Sequence, residues 1–91
     1  MSPLSGASLP QVGPGFRLQW EAAQDAFVLL YPEGMVKLNG SAGEIMKRCD
    51  GQRSVAAIVT DLEQALNVQG LEGDVLAFVQ MAAEKRWLAW S

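Results

Sequence analysis

No histidine occurs in this sequence, and cysteine occurs once, at Cys49. The missing imidazole removes the usual general base, the commonest metal ligand and every Ser-His or Cys-His pair. A lone cysteine closes no internal disulfide, which suits a reducing cytoplasm. With no second thiol beside it, no metal site is expected either. Long apolar runs are also missing: none approaches the ~18 residues that a membrane span requires. No Lys or Arg precedes Arg17, and no run resembles a signal peptide, so membrane insertion and secretion are not expected. Basic charge is scarce, with seven Lys and Arg against ten Asp and Glu and a net charge of -3. That balance supplies no electrostatic reason to seek nucleic acid or an anionic membrane.

What is present is apolar surface. The 91 residues are enough for one domain, and 49% of them are apolar, with Trp20, Trp87 and Trp90 adding bulk. A chain this short buries only somewhat more than ~60% of its unfolded surface, so its core is thin.

Met1 to Pro14 hold three prolines and two glycines without apolar periodicity and read as a flexible tail, leaving residues 15–91 as the domain. From Phe16 the pattern alternates. Phe16, Leu18 and Trp20 share one face, and Arg17, Gln19 and Glu21 share the other, as in a half-buried strand. After a polar connection at Ala22 to Asp25, the unbroken apolar run from Ala26 to Tyr31 predicts a central strand buried on both faces. Pro32-Glu33-Gly34 is a turn, and Met35 to Leu38 form a short third strand.

Three helices are expected next. Ser41 and Glu44 have the spacing of a capping box, and Leu38, Ala42, Ile45, Met46 and Cys49 form one stripe that ends at Asp50-Gly51. Ser54 suits the N-cap of a second helix, whose stripe is Val55, Ile58, Val59, Leu62 and Leu66. Glu72 and Asp74 place negative charge at the start of a third helix running to about Arg86, and Trp87 to Trp90 close the chain as an apolar tail. The order predicts an α+β fold: a three-stranded antiparallel meander followed by three helices, winged-helix-like.

Nothing in this pattern resembles a catalytic constellation, so an enzyme is not expected. Cys49 falls on a core stripe beside Asp50 and reads as a buried, inert thiol. Gly13-Pro14-Gly15 lacks the Lys-Ser or Lys-Thr of a phosphate loop. Two features suggest binding instead. The third strand is short, guarded by Lys37, and leaves a sheet edge that a peptide strand can join. The third helix carries a core stripe of Val75, Phe78, Val79 and Ala82, which Leu76, Ala83 and Trp87 widen to about 180° where ~100° suffices for a surface helix. That surplus is covered by the sheet or the apolar tail, or it forms the wall of a groove or a dimer surface.

DNA binding, the usual partner of a winged helix, fails on charge. Val55 to Leu66 contain no Lys or Arg, and the third helix has only Lys85 and Arg86 at its end. A self-associating structural module remains an alternative. Two open edges, a Pro/Gly-rich arm and surplus apolar area predict a possible homodimer at high concentration, competing with peptide.

The run Leu30-Tyr31-Pro32-Glu33-Gly34-Met35-Val36-Lys37-Leu38-Asn39 resembles the PqqD family of pyrroloquinoline quinone biosynthesis. Gly15-Phe16-Arg17-Leu18, Ser41-Ala42-x-x-Ile45, Cys49-Asp50-Gly51 and Asp74-Val75-x-x-Phe78 agree with it, over about residues 12 to 88. The resemblance implies a peptide carrier without a cofactor of its own. Proteins of this kind bind the precursor peptide PqqA and present it to the radical S-adenosylmethionine enzyme PqqE, which joins a glutamate and a tyrosine of the peptide. It also implies the recognition fold used for other ribosomally made, modified peptides, in which the leader adds beside the third strand and packs on the third helix. Carried onto this chain, the expected peptide-binding residues are Met35, Val36, Lys37 and Leu38 on the strand, with Leu76, Val79, Ala83 and Trp87 on the helix.

Overall fold

A computed structural model describes residues 3–91. Its elements in order are β1 (Pro10–Val12), β2 (Arg17–Glu21), a 3-10 turn (Ala22–Gln24), β3 (Ala26–Tyr31), β4 (Gly34–Lys37), α1 (Gly40–Met46), α2 (Val55–Leu66), α3 (Glu72–Glu84) and β5 (Leu88–Trp90). Strands β2, β3 and β4 form one antiparallel sheet in that order, while β1 and β5 pair separately. The α+β meander followed by three helices is therefore present, with a two-stranded ribbon added.

Cross-strand register sorts the sheet into two faces. Leu18 pairs with Leu29 and Leu29 with Val36, and these residues face the helices. Gln19, Val28 and Lys37 lie in register on the other face. Val28 and Leu29, neighbours on opposite faces, are both fully buried, as the unbroken apolar run predicts. Trp20 departs from the alternation. It is 50% exposed at the end of the edge strand, where it packs edge-on against Phe27 with ring centroids 5.1 Å apart. Beneath the sheet, Leu29 meets Met46 of α1, Ile58 and Leu62 of α2, Val75 and Val79 of α3 and Leu88 of β5 in one core. Each such side chain withdrawn from water contributes roughly 1.5–3 kcal/mol.

Ser54 caps α2 as expected, its Oγ accepting the Ala57 N–H at 3.1 Å. The cap of α1 is not the Ser41/Glu44 box. Asn39 takes that place, its Oδ1 accepting the Ala42 N–H at 2.8 Å, so the helix starts two residues earlier, at Gly40. Glu44 is thereby released to meet Arg48. The helix also ends at Met46 instead of running to Asp50. The Asp50 carboxylate accepts the N–H groups of Gln52 and Arg53, a turn that competes with further helix. Similarly, α3 stops at Glu84, and Arg86 adopts a left-handed φ of 68°.

The larger correction concerns the expected tail. Met1 and Ser2 lie outside the described residues, but the remainder is fastened down. β1 pairs with β5 in the register Pro10 to Trp90, Gln11 to Ala89 and Val12 to Leu88. Ser8 is buried, its carbonyl accepts the Val55 N–H at 2.9 Å, and the Gly6 carbonyl accepts the Ala56 N–H at 2.9 Å. Those amides belong to the first turn of α2 and have no partner within the helix. A three-residue strand is too short to display alternation, and its partner lies at the other end of the chain. The apolar tail from Trp87 to Trp90 is correspondingly the strand β5 with its approach.

Candidate functional site

The edge of β4 can be read from its ladder. The Leu38 N–H donates to the Phe27 carbonyl at 3.0 Å, which makes Phe27 and Leu38 a hydrogen-bonded pair. Hydrogen-bonded and open pairs alternate along an antiparallel ladder. Val36 therefore bonds inward to Leu29, whereas Met35 and Lys37 turn their N–H and C=O groups to the free side. Those four groups are a template for another strand.

Beside this edge lies a groove of about 530 Å³ between β4, α1 and α3. Val36 and Leu38 bring it from the sheet side, and Ala42 and Ile45 from α1. Leu62 and Leu66 contribute from α2, and Leu66 is 53% exposed there. The opposite wall is Leu71, Val75, Phe78 and Met81, with Trp87 beyond the end of α3. Lys37, Glu44 and Asp74 also line it. Glu44 is engaged, its Oε1 lying 2.9 Å from Arg48 Nη1. The arrangement offers backbone hydrogen bonds along one side and apolar cover along the other, which suits an extended peptide with apolar side chains.

Four of the eight expected residues meet at this groove: Val36, Lys37, Leu38 and Trp87. Met35 does not line it; its side chain is 47% exposed on the outer sheet face, although its backbone lies on the free edge. Val79 is fully buried in the core, Leu76 packs half-buried against that core, and Ala83 is half-buried away from the groove. The groove is therefore lined by the other flank of α3, not the one expected. At about 100° per residue, Leu76 and Ala83 lie to one side of the Val75–Val79–Ala82 core stripe, and Asp74, Phe78 and Met81 to the other. An arc that wide has two flanks, and its own periodicity does not distinguish them. Leu71, Phe78 and Met81 were visible as apolar helix-spaced residues, but only packing turns them toward β4.

Cys49 is buried and donates to the Ile45 carbonyl at 3.2 Å. Burial, with the nearby Asp50 charge, pushes its thiol up to about 12. Arg48 is buried too, and it bonds Glu44 and Asp61 at once, tying α1 to α2. Its hydrogen bond holds the Asp61 carboxyl below the ordinary carboxylate range. Among the described residues no group of three or more Cys, Asp or Glu could hold a metal ion, and no helix is long and apolar enough to cross a membrane.

An open sheet edge running beside an apolar helix-walled groove defines a small α+β domain of the peptide-recognition class. Residues 26–88 match the family described as coenzyme PQQ synthesis protein D (PqqD). The chain belongs to this family. A PqqA binding protein of Pseudomonas aeruginosa is 55% identical over 82 residues, 89% of each chain. One from Azotobacter vinelandii is 51% identical over 89 residues, 97% of each. The solution NMR structure of the PqqD truncation of Methylobacterium extorquens PqqCD aligns with a TM-score of 0.78 at 30% identity, over 96% of this chain and 95% of that one. That protein is described as a functional, stand-alone recognition element for ribosomally synthesized and post-translationally modified peptides. The family is not a catalytic one, and the chain is not an enzyme.

Proposed function

We propose that this chain binds the precursor peptide PqqA along β4 and the adjoining groove and presents it to the radical S-adenosylmethionine enzyme PqqE. The observation that carries the reading is the free edge at Met35 and Lys37 beside the groove walled by Phe78 and Met81. The names of the relatives and the recognition-element neighbour support the same partner. Mechanistically the domain acts by position. Holding the peptide and the enzyme together raises the local concentration of one at the other, without any group here touching the reacting bond. Its setting is the cytoplasm, where the lone thiol stays reduced. Self-pairing at high concentration would cover the same edge, so saturating peptide should shift sedimentation toward monomer.

Lys37→Pro tests the strand addition directly. Proline removes an N–H that faces the free side and leaves the bonds between β3 and β4 intact, as edge positions allow. PqqA affinity measured by titration calorimetry should fall by about tenfold, with the circular dichroism spectrum retained. A folded Lys37→Pro chain that binds PqqA as tightly as the parent would refute the placement.

A further inference from the structure

The arm before β2 does not line the groove, yet it is fastened to a residue that does. Trp87 follows Arg86, whose left-handed φ of 68° turns the chain out of α3. Two hydrogen bonds hold the turn. The Trp87 N–H donates to the Ala82 carbonyl at 2.9 Å, and the Gly13 N–H donates to the Trp87 carbonyl at 2.8 Å. Gly13 is buried and so close that a Cβ there would stand 2.3 Å from the Arg86 carbonyl oxygen. From this point β1 runs along β5, and reciprocal Leu9 and Ser91 backbone bonds of 3.0 and 3.2 Å extend the pairing. The far end of the arm is anchored independently, where the Ser8 and Gly6 carbonyls receive the first amides of α2. A left-handed non-glycine residue persists only where its surroundings hold it. Here the surroundings include the arm.

We propose that residues 6–13 act as a strap that sets Trp87 in the groove wall, with Gly13 as a positioning residue, so that peptide affinity depends on a segment the peptide does not touch. The inference rests on the reading that the groove takes PqqA. Gly13 acts through its neighbour: a side chain at this position must displace the Arg86 carbonyl, and the displacement is transmitted to Trp87 one residue on. Coupling of this kind is reciprocal. If the closed strap favours binding, bound peptide favours the closed strap by the same factor.

Amide hydrogen exchange of the full chain, with and without saturating PqqA, reads that factor. Amides that exchange through global unfolding all slow together when a ligand binds, whereas amides released by local opening slow only if that opening costs binding. The Gly13, Leu9 and Ser91 amides should slow by about fivefold or more, while the Asp25 amide at the far end of the sheet keeps its rate. Unchanged strap amides beside newly protected Met35 and Lys37 would overturn the strap and leave the groove standing. Unprotected Met35 and Lys37 would remove the groove reading and the strap with it. Gly13→Ala supplies the second readout: PqqA should bind about tenfold more weakly to a chain of unchanged secondary structure. Affinity within about twofold of the parent overturns the proposal, and if this variant does not fold, exchange on the parent chain decides.

Discussion

The α1–α2 ledge and the β4–α3 groove are made of similar residues and finished in opposite ways. On the ledge, Met46, Cys49, Ile58 and Val59 are buried, and the one buried guanidinium, Arg48, answers two carboxylates. Among the described residues no buried side-chain nitrogen or oxygen there lacks a partner. Along the groove, Leu66, Phe78, Met81 and Trp87 meet an opening, and β4 offers unmatched backbone groups beside them. In a domain with a thin core, apolar surface left open is surface withheld from stability, and it marks where another molecule supplies the cover. If the groove takes the peptide as proposed, stability and recognition are carried by different walls of the same core.

Paired truncations would break that comparison if it is wrong. Ile58→Ala should lower unfolding free energy by about 2–5 kcal/mol, read by denaturant titration, because a fully buried side chain leaves a cavity. The folded fraction should still bind PqqA within about twofold. Phe78→Ala should do the reverse, weakening PqqA by about tenfold while costing about 1–2 kcal/mol, since its ring is only partly buried at the edge of the core. Equal losses of stability and affinity in both variants would erase the distinction between the walls.

A gentler perturbation is acid. Because the Arg48 hydrogen bond lowers the Asp61 carboxyl pKa in the folded chain, this group adds stability above its unfolded value of about 3.9. That contribution is lost as pH falls through the lower folded value. Asp61 is half exposed, so the effect is modest. Asp61→Asn should flatten the acid limb of the stability curve below about pH 4 and leave PqqA binding at neutral pH unchanged. A limb as steep as the parent's would show that Asp61 does not contribute to it.

The smallest expected change is at Cys49. With its thiol buried and pushed up to about 12, it should resist labelling until the domain unfolds. Cys49→Ser should bind PqqA within a few-fold of the parent. Rapid labelling of the native chain at neutral pH would contradict the burial.

Much of this molecule is decided by neighbours in sequence, and that part was readable without a structure. Alternation at Phe16 to Glu21, the apolar run at Ala26 to Tyr31 and the stripe from Val55 to Leu62 each repeat with the period of their element. Ser54 as a cap and Val28 with Leu29 as doubly buried strand residues follow from the same local rules. The cap at Asn39 was missed because Ser41, two positions on, has capping-box spacing to Glu44, whereas Asn39 has no Glu or Gln three residues later.

What the sequence alone determined is the three-stranded meander and the three helices, most of their apolar faces, and the exclusion of catalytic histidine, internal disulfide and membrane-spanning helix. Tertiary structure alone decided which faces meet. It joined Pro10–Val12 to Leu88–Trp90, a pairing between chain ends with no local signature. It rotated α3 so that Val79 fills the core and Phe78 the groove, although both belong to one broad apolar arc. The physical reason is the same in both cases. Periodicity records that a side chain avoids water, but the partner that takes water's place is chosen by packing among segments far apart in the chain.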